Sequence, residues 1–233
     1  MNKYELIDEK HVLPTPAGIY YATSSNQSEV TRKLLLAMVS QSESQRLTME
    51  NLCGQIKMDE DSALETLHRM QRLGWLETHE QAQQAPSGSI EDIFPPLLRA
   101  LSSTGKTLLA DQQGFNLASN GFTHEAAEEL SALSADIASL RLRHGNLLFK
   151  NLSIKTHAFG LVDAAGNSQL GFWPLYIGDS YFTLAMSGVP RFNQSDFTNL
   201  VWALTHRYAT SVFEPSSLNN DSTANSEEAV INA

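Results

Sequence analysis

Ser103, Thr104, Gly105, Lys106 and Thr107 form the segment that most invites a chemical reading, because Gly-Lys-Thr closes the phosphate-cradling loop of many nucleotide-binding proteins. That loop needs a glycine five positions before its second one, and Ala100 stands there. It also needs a strand before it and a helix after it, whereas the pattern here predicts a helix and then a strand. A turn between the two is the expectation. The seven histidines, His11, His68, His79, His124, His144, His157 and His206, include no pair within five residues, so helical metal-ligand spacing is absent and no metal site is expected. Cys53 is the single cysteine, which excludes an internal disulfide or a thiolate zinc cluster within one chain; with no electropositive neighbour it reads as a small buried apolar group. Asp163 and Asp179 fall at expected turns, where an aspartate serves the local backbone. No Gly-x-Ser-x-Gly elbow or dinucleotide fingerprint occurs. Lacking a nucleophile, base and metal constellation, the chain reads as non-enzymatic and without a cofactor.

The elements that would carry any function are set by composition and patterning. In 233 residues, 42% are apolar and 18% charged, the proportions of an ordinary water-soluble protein, and no apolar run is long enough to span a bilayer. Nothing in Met1–Lys10 resembles a secretory signal, so a cytoplasmic protein is expected. The net charge of −10 is spread over every segment: −1 in residues 1–28, −3 in 29–80, −2 in 90–212 and −4 from Phe213 onward. Such acidity weighs against non-specific attraction to phosphate backbones or anionic lipid. Residues 81–89 have no apolar period and end in Pro86, Ser87, Gly88 and Ser89, the composition of a linker. Residues 213–233 read as a disordered acidic tail. Two modules are therefore expected, 1–80 and 90–212.

In the first, Pro14, Pro16 and Gly18 interrupt helix, while Ile19, Tyr20 and Tyr21 favour strand. Three helical segments follow. Glu29–Val39 places Val30, Leu34, Ala37 and Met38 on one face, and Thr48–Ile56 opens on a capping threonine and turns Leu52 and Ile56 inward. Asp59–Leu73 repeats Ala63, Leu64, Leu67, Met70 and Leu73 at helical spacing before Gly74 stops it. Trp75, Leu76 and Thr78 suggest a short strand. This order, with the phrase Gly-Trp-Leu-Glu after the apolar helix, resembles a winged-helix domain. The resemblance would place the third helix against DNA, with His68, Arg69 and Arg72 as the contacts. Its first turn, with Asp59, Glu60 and Asp61, and Glu65 beyond it present carboxylates instead, which argues for a protein-docking role and makes nucleic acid the less favoured partner.

The second module reads as a helix (Ile90–Leu101), a hairpin (Lys106–Ala110 and Phe115–Ser119 about a tight turn at Asp111–Gly114), and a long helix from Thr123 to about Arg143, ended by Gly145. That helix has Ala126, Leu130, Leu133, Ile137 and Leu140 on one face. Strand formers then fill Leu147–Val162, Gln169–Ile177 and Tyr181–Ser187, and Phe192–Tyr208 closes as a helix. The fold class is thus α/β (α+β), a five-stranded antiparallel sheet with helices on its faces. Thr107-Leu-Leu-Ala-Asp-Gln-Gln-Gly-Phe-Asn-Leu-Ala-Ser119, with Leu97–Ala100 before it and the Ala/Leu-rich helix after, resembles the roadblock/dynein-light-chain family. The long Leu147–Val162 segment departs from that pattern and leaves the register of the third strand open. The resemblance implies homodimerisation through the long helix and a neighbouring strand, and a regulatory or scaffolding role beside Ras-like GTPases. Ala127, Ala132, Ala135 and Ala138 would allow close approach of a second helix. Glu125, Glu128, Glu129, Asp136, Arg141 and Arg143 would rim a partner surface, to which Trp173 and Tyr176 on adjacent strands could add aromatic contacts. The expectation is a homodimeric adaptor that binds a small GTPase. The alternative is a transcription regulator whose winged helix binds DNA and whose second module supplies the dimer.

Overall fold

The computed structural model describes residue 6 and residues 10–56 and 59–209; the expected tail and the side chain of Ile56 lie outside the described residues. Among the described residues, extended structure at the start is confined to β1 (His11–Pro14). Ile19, Tyr20 and Tyr21 belong to a helix, α1 (Pro16–Thr23), and not to a strand. Pro16 takes the first helical position, where its missing N–H leaves nothing unpaired. Thr15 Oγ1 caps the helix by accepting the Gly18 N–H at 3.2 Å. Capping together with burial of Ile19 and Ala22 outweighs the strand preference of the aromatic pair.

Three helices follow, α2 (Val30–Met38), α3 (Met49–Ile56) and α4 (Glu60–Arg72). Their ends obey the local rules. The Asn51 N–H donates to Thr48 Oγ1 at 3.2 Å, the Ser62 N–H donates to Asp59 Oδ1 at 3.1 Å, and Gly74 at φ +67° turns the chain out of α4. Leu34, Ala37, Met38, Leu52, Ala63, Leu64, Leu67 and Met70 are buried as their spacing predicts, whereas Val30 and Leu73, in the first turn of α2 and at the end of α4, are exposed. The strand β2 (Leu76–His79) then pairs antiparallel with β1. Beyond it the chain crosses to residues 42–44, where the Ala85 N–H donates to the Ser42 carbonyl at 2.8 Å and the Gln83 N–H to Ser44 Oγ at 2.8 Å.

The remaining elements come in the expected order: α5 (Ile90–Ala100), β3 (Thr107–Asp111), β4 (Asn116–Asn120), α6 (His124–Gly145), β5 (Phe159–Val162), β6 (Ser168–Ile177), β7 (Ser180–Ser187) and α7 (Ser195–Tyr208). The last five strands form one antiparallel sheet in the order β4-β3-β7-β6-β5. Strand alternation sorts its side chains onto two faces. Leu109, Leu175, Ile177, Phe182, Leu184 and Met186 meet α5 and α7, while Leu108, Ala110, Phe172 and Ala185 meet α6. The α7 side also carries the N-terminal helices, so that one unbroken apolar cluster runs from Ile19 and Leu34 through Trp202 to Leu184. Trp202 Nε1 donates to the Gln41 carbonyl at 2.7 Å, and His206 Nδ1 lies 3.0 Å from the Ser40 carbonyl.

The long helix departs from expectation in two ways. Gly145 does not end it: the chain keeps helical angles there and widens into a π-helical turn, Asn146–Asn151, which takes up Leu147, Leu148 and Phe149. A short apolar run suits a helix as well as a strand, and β5 begins only at Phe159. The buried stripe is also shifted by one residue. Ala127, Ser131, Ser134, Ala138 and Arg141 face the sheet, leaving Leu133 and Leu140 exposed. Small side chains let the helix lie close to the strands. Ser131 Oγ donates to the Ala127 carbonyl at 2.8 Å and Ser134 Oγ to the Ser131 carbonyl at 2.6 Å, so their hydroxyls are satisfied within the helix.

Candidate functional site

Because the alanine and serine face of α6 is turned inward, its leucine face is covered only along one side, where Leu130 and Ile137 pack against the sheet cluster. Leu130 and Ile137 are half-buried, and Leu133, Leu140 and Leu147 are 39%, 38% and 47% exposed. Their spacing alternates three and four residues from Leu130 to Leu140, the seam of two packed helices. The edge strand β5 adds to the same side. Leu161 pairs with Leu170, whose side chain packs on the α6 face, so Leu161 projects on that face too, 60% exposed. An edge strand with exposed apolar side chains invites pairing.

Of the four alanines expected to admit a second helix, Ala127 and Ala138 are buried against the sheet of their own chain. Ala135 is half-buried beside Gly114 in the β3–β4 turn, and Ala132 is exposed. Glu125, Glu128, Glu129, Asp136 and Arg143 are exposed. Arg141 does not belong with them, since it is 93% removed from solvent, and Tyr176 is buried as well. Trp173 is half-buried, edge-on to Phe192 with ring centroids 5.6 Å apart. On α4, Arg69 and Arg72 are exposed in the last turn and His68 is half-buried.

Residues Ser103–Lys106 form a turn between α5 and β3, and Thr107 opens the strand. The turn's hydroxyls are tied to the end of β7: Thr104 Oγ1 donates to the Ser187 carbonyl at 2.9 Å, and the Val189 N–H donates to Ser103 Oγ at 2.9 Å. Asp163 Oδ1 accepts the Ala165 and Asn167 N–H groups at 2.9 Å each, and the Asn167 bonds hold its carboxyl below the usual range. Cys53 is half-buried against the core. Among the described residues no cluster of three or more metal-ligating side chains occurs, and no helix is long and apolar enough to cross a membrane.

The sequence gives no sign of one cluster, because its members lie on α6, the 152–158 loop and the β6–β7 hairpin. Arg141 Nη1 donates to His157 Nδ1 at 3.0 Å, and its guanidinium carbon stands 5.2 Å from the ring centres of both Tyr176 and Tyr181, which are cross-strand partners. His157 stacks on Phe149 of the π-helical turn, ring centres 4.6 Å apart. Burial first, then the charges of Arg141 and Arg32, hold its imidazole below the ordinary histidine value. It therefore serves Arg141 as a neutral acceptor. The cluster lies where β5 falls short. That strand pairs with β6 only as far as Phe172, and beyond it, among the described residues, the edge of Trp173–Ile177 has no strand beside it.

No family model matches the sequence, and no curated protein is significantly similar to it. Among solved structures, the crystal structure of a Roadblock/LC7 domain from Streptomyces avermitilis is similar at 11% identity and a TM-score of 0.33, covering 50% of this chain and 92% of that one.

Proposed function

We propose that the protein is a non-enzymatic homodimeric adaptor in which the sheet domain, 90–212, pairs with a second copy through the outer face of α6 and the β5 edge. The observation that carries this reading is the exposed row Leu133, Leu140 and Leu147, beside the half-buried Leu130 and Ile137 and an edge strand that exposes Leu161. Contiguous exposed apolar surface of this kind marks an interaction site. Pairing would bury the stripe and extend the sheet across the two copies. Ala132, Glu125, Glu128, Glu129, Asp136 and Arg143 are exposed on the same helix and its end, where they would flank such an interface. The sequence resemblance to the roadblock/dynein-light-chain family adds a small Ras-like GTPase as the partner of the dimer, in the cytoplasm, and leaves the winged-helix-like segment, 1–80, to recruit a further protein.

Sedimentation velocity of the full chain across a hundredfold concentration range tests the first half. A dimer is expected, and a monomer throughout would refute it. A pull-down from native cytosol loaded with GTP or with GDP tests the second, which fails if no nucleotide-binding protein is enriched in either state.

A further inference from the structure

The open end of β6 is the floor of a cleft of about 850 Å³. Its walls come from the α1–α2 loop at Ser24–Gln27, from Arg141 and the π-helical turn, and from residues 154–158. This volume lies within the range of small-molecule sites. Its charge is opposite to that of the chain as a whole: Arg32, Arg141 and Lys155 line it, and among the described residues no carboxylate does. Arg32 is balanced by Glu29, 3.7 Å away. Among the described residues neither Arg141 nor Lys155 has an ion pair. Arg141 is the telling group. It is 7% exposed, and among the described residues it has a single hydrogen bond, to a neutral imidazole, and no partner for its buried Nε. A buried guanidinium ordinarily meets a carboxylate or phosphate, which takes two of its donors at once. Here the tyrosine rings supply only the weaker attraction of their faces. Tyr20, Trp173 and Phe192 give one part of the lining an aromatic character, with Phe192 touching both of the other rings.

We infer that this cleft binds a small organic anion with an aromatic ring, its phosphate or carboxylate seated on Arg141 and Lys155 and its ring against Tyr20, Trp173 and Phe192. An extended peptide adding to the open edge fits less well, because Pro174 in the middle of that edge has no N–H to offer. The site is separate from the leucine face of α6, so it stands whether or not the protein dimerises.

The test is calorimetric titration of the full chain, with tryptophan fluorescence in parallel, against AMP, indole-3-carboxylate, inorganic phosphate, uncharged adenosine and an acidic peptide. At least one of the two ring anions is expected to bind below about 1 mM, and adenosine at least roughly tenfold more weakly than AMP if AMP is the one that binds. Whichever of AMP and indole-3-carboxylate binds identifies the head group. Arg141→Met is expected to weaken binding roughly tenfold or more, and the exposed Lys155→Gln roughly threefold with an unchanged melting temperature. The second variant decides the matter if the first does not fold. The inference is overturned if neither ring anion binds in this range, if adenosine binds as well as AMP, if Lys155→Gln changes nothing, or if only the acidic peptide binds.

Discussion

Replacing Gly18 by alanine sets helix propensity against packing, and the structure says which wins. Gly18 lies inside α1, so alanine should favour the helix by up to about 1 kcal/mol. A Cβ there would stand 2.3 Å from the carbonyl oxygen of Trp75 and 3.1 Å from its carbonyl carbon and Cβ. Neither side has room to yield. The same carbonyl accepts the Thr15 N–H at 2.9 Å, Thr15 Oγ1 donates to the Gly74 carbonyl at 2.7 Å, and Tyr21 stacks on the Trp75 ring at 4.0 Å. Overpacking of this kind costs about 1–3 kcal/mol. Gly18→Ala should therefore be destabilised by about 1–2 kcal/mol net, lowering the melting temperature by roughly 3–6 °C for a chain of this size. The control is Gly54→Ala, in α3, where nothing lies within 4 Å of the added Cβ. It should gain about 0.5–1 kcal/mol. Both can be read by thermal or urea unfolding followed by tryptophan fluorescence. Two stabilising shifts would refute the reasoning, since propensity alone would then account for both.

Three further outcomes follow from the same geometry. A full leucine burial is worth about 2 kcal/mol, so covering the 39% and 38% exposed parts of Leu133 and Leu140 on both copies contributes about 3 kcal/mol. Leu133→Asp with Leu140→Asp should weaken dimerisation by at least roughly a hundredfold in sedimentation equilibrium while circular dichroism stays unchanged. Gly114→Ala should cost roughly 1–3 kcal/mol in urea unfolding, because Gly114 sits at φ +87° and its Cβ would meet the Ser131 carbonyl oxygen at 2.9 Å. The lowered His157 value means that the unfolded chain binds the proton more readily. Stability should fall as pH drops from the unfolded value, about 6.5, through the folded one. His157→Asn should flatten that part of the unfolding free-energy profile, and an unchanged slope would show that other groups produce it.

Element order in the sheet domain is legible in the sequence because its signals are local: Ser89, Thr123 and Gly114 each fix a cap or turn within a few residues. Legibility fails where tertiary packing overrides local preference. Tyr20 and Tyr21 join a helix because Thr15 caps it and the core accepts Ile19. Helical periodicity finds the leucine stripe of α6 but assigns it inward. Ala127, Ser131, Ser134 and Ala138 form a rival face, and only the closeness of the sheet decides between the two. The same error places Arg141 among exposed charges. Its partner His157 is sixteen residues away across a π-helical turn that no short-range pattern announces.

The position of α7 bears on how the chain is made. Phe197, Trp202 and Leu204, near the end of the described sequence, complete the cluster that also holds Ile19, Leu34 and Leu35, near its beginning. During synthesis at about 5–20 residues per second, the early helices wait roughly ten to forty seconds for the surface on which they settle. In that interval Ile19, Leu34 and Leu35 have no α7 to cover them, so ribosome-bound chains halted before Ser195 should be more open to proteases and chaperones than those released after Tyr208. The last helix acts as a check on completeness, because a chain cut short before it lacks the piece that seals its first half.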